Sequence, residues 1–290
     1  MSAAKTDARL GKVDAAVAEL QAAPKSAEAD ELLCSLYASI NQRDQAIATC
    51  EAAAKMEPAN SNYALALARA YGAKADHSGA LTGMRMVGKI RSSFERAVQL
   101  DGNNVEALSD LGQFYVEAPG VVGGGAEKAR ALLPKLQPIA PARAHRLAAM
   151  IAAKNKDDLT AEQEFQAALA AAPNAEAYVD LANFYRSRKN WQKAADNAKL
   201  AMVHDPQHGP DTLDAAKVLL DMKRSEPEAQ AGLRSYLNSP QVHVASYAKA
   251  HVLLGNSLLA AGNNTVAQTE FQAALALAKD YEAAQQGLRR

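Results

Sequence analysis

The chain has 290 residues, with 32 Lys plus Arg set against 32 Asp plus Glu. That balance argues against a nucleic-acid binder, which carries a strong basic excess, and no apolar run approaches the roughly 18 residues of a membrane span. Alanine is the commonest residue, aromatics are 5%, and Val and Ile are sparse, a composition for closely packed helices and not for sheets.

In chain order, MSAAKTDARL has no apolar core and is not a signal peptide. GKVDAAVAELQAA then belongs to a partial repeat over residues 1–26. Residues 27–60 are the first full unit. Leu33, Cys34 and Tyr37 share one helical face, and Ala46, Cys50, Ala53 and Pro58 follow on a second. Residues 61–104 start the same way with Leu67, Ala68 and Tyr71, but Phe94 and Ala97 come late, an insertion of about ten residues near 72–83. Residues 105–141 set Leu111, Gly112 and Tyr115 before Ala129, Leu133 and Pro141, an insertion of about five.

Residues 142–174 carry Ala148, Ala149, Ala161, Phe165, Ala168 and Pro173. The clearest unit is 175–208: Leu181, Ala182 and Tyr185, a polar break at 188–190, Trp191, Ala194, Ala198 and Ala201, then the stop at Asp205-Pro206. Residues 209–247 are the most degenerate, with Ala215, Ala216 and Leu219 before Ser225 and Pro227, which open a second helix. Residues 248–280 return to the pattern with Leu254, Gly255, Leu258, Gly262, Ala267, Phe271 and Ala274, and 281–290 form a final helix.

Helix pairs at a spacing of 34 residues, with small residues where helices cross, resemble the tetratricopeptide repeat. The resemblance covers nearly the whole chain. It implies an all-α fold, a single right-handed superhelical solenoid of about seven helix pairs over 1–290 in which each pair buries its face on its neighbours.

The stretch APGVVGGGAEKAR (118–130) invites a phosphate-loop reading, which fails. Gly120 and Gly125 have the required separation, but Ala126 stands where Lys is needed, Lys128 is two residues late, and a helix precedes the loop where a strand should. The stretch resembles an APG-x-x-GGG-x-x-KA insertion of bacterial, mostly envelope-associated tetratricopeptide proteins. It reads as a turn, the competing reading being anion binding by amides near Ala126. Both insertions join first to second helices of adjacent repeats, so segments 72–88 and 117–126 should meet on one edge. Met84, Arg85, Met86 and Lys89 would lie there with Gly123, Gly124, Gly125 and Lys128, suited to an adaptable contact or simply packed on each other.

The chain lacks the H-E-x-x-H, G-x-S-x-G and C-x-x-C motifs. His204 and His208 lie four apart, but Asp205-Pro206 breaks the helix between them. The expectation is no enzyme, cofactor or metal. The resemblance implies that first helices line a concave groove for peptides or partner helices. Helical offsets place Glu106, Ser109, Gln113 and Glu117 there, then Arg143, Arg146, Met150 and Lys154, then Glu176, Val179, Asn183 and Arg186, and finally Lys249, Val252, Asn256 and Leu259. Arg143, Arg146 and Arg186 are expected to form a basic patch for an acidic segment. The functional expectation is therefore a non-catalytic scaffold for a protein or peptide, with a small-ligand module associated with transport as the alternative.

Cys34 and Cys50 occupy facing positions of one helix pair and should be neighbours, as a disulfide or as two buried thiols. Aligning Val13 with Trp191 sets the first repeat's start about four residues before Met1, as in a chain trimmed of an export signal. A periplasmic location is thus favoured over a cytoplasmic one.

Overall fold

The computed structural model describes residues 1–223 and 225–290, with the side chains of Ala80 and Leu81 left aside. Among the described residues all regular structure is helical, and the chain is an all-α repeat solenoid of helix hairpins. The first hairpins are α1–α2 (Ser2–Arg9, Val13–Ala22), α3–α4 (Ala27–Ser39, Arg43–Met56) and α5–α6 (Ser61–Asp76, Ala80–Leu100). Helix α7 (Val105–Glu117) pairs with a broken second element, α8 (Ala126–Arg130) and α9 (Leu133–Leu136), where Pro134 starts the new turn. Then come α10–α11 (Pro141–Lys154, Asp158–Ala171), α12–α13 (Ala175–Ser187, Trp191–Val203) and α14–α15 (Pro210–Asp221, Glu226–Leu237). The last are α16–α17 (Tyr247–Ala260, Asn264–Leu277) and the closing helix α18 (Glu282–Leu288).

The regular hairpins turn by one device. A single residue takes the left-handed conformation: Gly11 (φ 66°), Asn41 (61°), Lys156 (65°), Lys189 (58°) or Gly262 (79°). The next amide then donates to the carbonyl five residues back, as Gln42 does to Tyr37, Asp157 to Ala152, Asn190 to Tyr185 and Asn263 to Leu258. This is the Schellman closure, which satisfies carbonyls the helix end would otherwise leave unpaired.

Packing explains the small residues. Ala68, Ala149, Ala182 and Ala216 are fully buried. A Cβ added at Gly112 would meet Leu147 Cδ2 at 2.7 Å, and one at Gly255 would meet Phe271 Cε1 at 2.7 Å. In the α3–α4 hairpin Cys34 takes that small position and Cys50 the large one. Both are buried, and they are joined as a disulfide with Cα atoms 5.3 Å apart.

The chain forms two compact units. One comprises residues 26–34 and 43–173, with a core running from Ala64 through Phe94, Leu108 and Leu136 to Ile151. The other comprises residues 1–25, 35–42 and 174–290. Within the latter, the N-terminal hairpin packs on the last repeats. Ala245 N donates to Ala8 O at 2.9 Å, Lys279 N donates to Asp14 Oδ2 at 2.9 Å, and the Tyr247 ring lies against Gly11. Repeat offsets alone give no hint of this contact.

The expected loop over about residues 72–83 is corrected. Helix α5 runs on to Asp76, and α6 starts at Ala80 and is 21 residues long, against 13 in α13. The insertion holds no proline, and Ala73, Lys74 and Ala75 on one side and Ala80 and Leu81 on the other carry the two helices on, with His77, Ser78 and Gly79 between them. His77, Ser78 and Gly79 make the turn, with Ser78 Oγ donating to Lys74 O at 2.7 Å.

Candidate functional site

The lengthened ends of α5 and α6 stand beside the C-terminal half of α7, and a cleft of about 470 Å³ lies between them. From α6, Gly83, Val87, Ile90 and Phe94 line it at helical spacing. Helix α5 supplies Gly72, Ala75 and Asp76, and α7 with the following turn supplies Asp110, Gln113, Phe114, Glu117, Ala118 and Pro119. Gln113 and Glu117 are residues that helical offset assigns to the groove, so that face and the inserted edge meet in one depression. The stretch Gly83–Phe94 is the signal that sequence reasoning missed: an apolar stripe continuing two turns beyond the length a repeat needs.

Helix α6 reaches the second insertion just beyond segment 72–88, at Arg91. A Cβ at Gly123 would lie 2.0 Å from Arg91 Nη1. The glycine stretch itself is a turn whose amides are consumed internally. Gly123 N donates to Gly120 O, Gly124 N to Pro119 O, and Gly125 N to Tyr115 O at 2.7 Å. Gly123 (φ 96°) and Gly125 (φ 146°) occupy backbone regions that favour glycine, and a Cβ at Gly124 would sit 1.9 Å from Ala118 O. Lys128 folds back, its Nζ 2.9 Å from Gly123 O and 5.5 Å from the centroid of the Tyr115 ring. Beneath it, Tyr115 OH donates to Glu95 Oε1 at 2.9 Å, and burial together with that carboxylate pushes the phenol up to about 12. Met84 remains 62% exposed and Val121 91%, while Met86 packs partly into the core; Arg85 is exposed.

The expected free basic patch is not present as such. Arg143 Nη2 lies 3.2 Å from Glu106 Oε1, and Glu106 Oε2 is also held by Arg69 at 3.0 Å. Arg69 Nε further binds Asp110 Oδ2 at 2.6 Å. Arg146 donates to Gln113 Oε1 at 3.3 Å, and Gln113 donates in turn to Glu117 Oε1 at 2.9 Å. Lys154 reaches Glu117 O at 3.3 Å. In the other unit Arg186 binds Asp221 Oδ2 at 2.7 Å and Asn183 Oδ1 at 3.0 Å. First helices of successive repeats lie side by side, so a cation on one meets a carboxylate or amide on the next. Single-helix offsets do not reveal that register. Met150 is half-buried against the core, Asn256 is exposed on α16, and Val179 and Val252, assigned to the same face, are buried.

The first-helix face of α12 and α14 is acidic instead. Asp211 is half-buried, and burial first, then Glu176, Asp205, Asp214 and Asp180, raise its carboxyl to about 6. Asp205 caps α14, accepting from Thr212 N at 3.1 Å and Thr212 Oγ1 at 2.8 Å. His204 stacks on Tyr178 with centroids 4.7 Å apart, and His208 turns the chain at φ 48°.

A scan of family models and a search of curated proteins found no match to the chain. Among solved structures, a thermophilic TPR protein of Thermus thermophilus is similar at 20% identity, covering 67% of this chain and 100% of that one, with a TM-score of 0.50. Yeast Tom70 is similar at 16% identity with a TM-score of 0.56, and the match covers 96% of this chain and 57% of that one. The chain thus spans little more than half of Tom70's length. At these identities the likeness is one of fold, and the fold is that of a tetratricopeptide-repeat protein.

Proposed function

We propose that the chain is a non-catalytic interaction scaffold that holds a protein partner through an extended or helical segment laid across its first helices. The cleft between α5, α6 and α7 would be the anchor point. One observation carries this reading: a cleft whose lining joins apolar groups (Ala75, Val87, Ile90, Phe94, Phe114) to Asp76, Asp110, Gln113 and Glu117, where the lengthened ends of α5 and α6 meet the first-helix face of α7. Anchor side chains entering such depressions commonly dominate binding. A photo-reactive residue at Val87 tests it. Cross-links to a polypeptide in lysate of the source cells are expected from Val87, and none from Leu159, an exposed position on α11. Absence of any polypeptide adduct at Val87 removes the reading.

A second reading, a small-ligand module, draws on the same cleft, whose volume lies within the roughly 300–1,000 Å³ of ligand sites. Native mass spectrometry separates the two: a co-purifying small molecule lost in Val87→Glu favours it.

A further inference from the structure

We infer that the occupant of the cleft is a cationic amphiphilic peptide segment, one large apolar side chain flanked by lysine or arginine. This rests on the cleft being a partner site, as proposed above, and it reverses the expectation of an acidic partner.

Charge is the first ground. Among the described residues that line the cleft there is no lysine, arginine or histidine, whereas Asp76, Asp110 and Glu117 stand at its walls. Asp110 is already matched by Arg69. Asp76 and Glu117 make no ion pair among the described residues, and Glu117 receives only the Gln113 amide and sits above the weak Lys154 contact to its own carbonyl. The nearby cations are engaged: Lys74 pairs with Asp44, Lys89 lies over the Tyr71 ring, Arg91 pairs with Glu95, Lys128 is folded on Gly123 O, and Arg146 donates to the lining Gln113. An acidic segment would therefore place its carboxylates beside the exposed, unmatched carboxylates of Asp76 and Glu117, where like charges repel in a salt-dependent way. A basic segment would meet complementary charge next to the apolar lining.

Glycine usage is the second ground. Gly72 and Gly83 sit inside helices, where glycine costs roughly 0.5–1 kcal/mol relative to alanine. Gly112 and Gly255 repay that cost by allowing close helix approach, but a Cβ at Gly72 would meet nothing within 4 Å, and one at Gly83 only Ala75 O at 3.4 Å. Neither has the positive φ that calls for glycine. What the two missing side chains leave is the space of the cleft, on both of its helical walls. An inner volume kept open at the expense of helix propensity fits a side chain from outside.

The test uses the full chain and three labelled peptides of equal length. One sets a Phe between Lys residues, one is its Glu counterpart, and one replaces the Phe by Ser. Fluorescence anisotropy should show the Lys–Phe peptide binding at least ~10-fold tighter than either of the others, with affinity falling as salt rises. Gly72→Leu, whose Cβ has open space and whose side chain would occupy the cleft, and Asp76→Lys should each weaken it ~10-fold while thermal unfolding stays near that of the parent. If the Glu–Phe peptide binds as well or better and is lost in Gly72→Leu, the cleft is a partner site but the charge inference is overturned. If no peptide binds, or if binding ignores both substitutions, the charge inference falls. The adducts at Val87 then decide separately whether a partner occupies the cleft at all.

Discussion

The α12–α13 hairpin turns in three residues and the α7–α8 connection takes eight, yet both return to the same hydrogen bond. Asn190 N donates to Tyr185 O at 2.9 Å, and Gly125 N donates to Tyr115 O at 2.7 Å, the accepting tyrosines holding equivalent places in their repeats. The extra five residues of the longer connection are looped out of an otherwise preserved closure. In α5–α6 the extra residues lengthen the helices instead. The difference teaches where constraint lies. The regular hairpins end where packing and capping end, while α5 and α6 run past that point. The added turns, with Gly72, Ala75, Asp76, Gly83 and Val87, join packed residues such as Ile90 and Phe94 in lining the cleft.

The largest expected effect tests the packed side of this contrast. Phe271 is fully buried and pressed by Gly255 and Gly287. Phe271→Ala should cost about 3–5 kcal/mol in urea unfolding. Phe94 holds the matching place in the stretched repeat but borders the open cleft, so Phe94→Ala should cost about 2 kcal/mol, because water and neighbours can refill the gap. Equal costs at the two positions would mean the cleft is closed in solution.

The α3–α4 hairpin replaces such an aromatic plug by the Cys34–Cys50 bond, closing a segment of sequence separation 16. Replacing both cysteines with alanine should cost about 3 kcal/mol, the constraint lost from the unfolded chain. An unchanged urea midpoint on adding reductant would show that packing alone holds that hairpin. Next comes Gly124→Ala, whose Cβ would press on Ala118 O. It should cost about 2 kcal/mol, against about 1 kcal/mol for Gly262→Ala, where only the positive φ objects. If Gly262→Ala proves the costlier, the eight-residue connection is not the tightly built turn described above.

How far could these regions be read without coordinates? The hairpins and their crossings were legible, because Leu181-Ala182-Tyr185 and its counterparts recur at one spacing and each small residue has a steric reason. Equivalent positions in adjacent repeats put residues 72–88 and 117–126 on one edge, and the two segments do line one cleft. The form of the first insertion does not follow, since an offset count places extra residues without saying whether they loop out or lengthen α5 and α6. The pairing of Arg143, Arg146 and Arg186 is hidden in the sequence for a different reason. Their partners lie on the neighbouring repeat, at Glu106, Gln113 and Asp221, and inter-helix register is not encoded in any one helix. The cleft was hidden because its walls combine an unexpected helical stripe with a face assigned by offset alone.

The ion-paired first helices α5, α7 and α10 also contrast with the acid-rich α12 and α14. Asp211 has its carboxyl raised from 3.8 to about 6, so the folded chain binds this proton more tightly than the unfolded one. Its stability contribution is full at low pH and is lost as pH rises through about 6. Asp211→Asn should therefore stabilise the protein at pH 7 by about 1 kcal/mol, after allowing for solvent screening of a half-buried group. The gain should vanish near pH 4, below which Asp211 is protonated in both states. A gain of equal size at both pH values would assign the effect to something other than this charge.

The smallest expected effect bears most directly on the contrast between packed and free positions. Gly72 and Gly112 are both helical glycines, in α5 and α7 of neighbouring hairpins. At Gly112 a Cβ would run into Leu147, whereas at Gly72 it would stand in the cleft. Alanine also loses less backbone entropy on folding than glycine, by roughly 0.5–1 kcal/mol in a helix. Gly72→Ala should therefore raise stability by about that amount, and Gly112→Ala should lower it despite the same gain in propensity. Paired urea titrations of the two variants decide the matter, since propensity cancels between them and only local space remains. A loss at Gly72 would show that its side of the cleft is filled in the folded chain, and the site would then have no mouth through which a partner could enter.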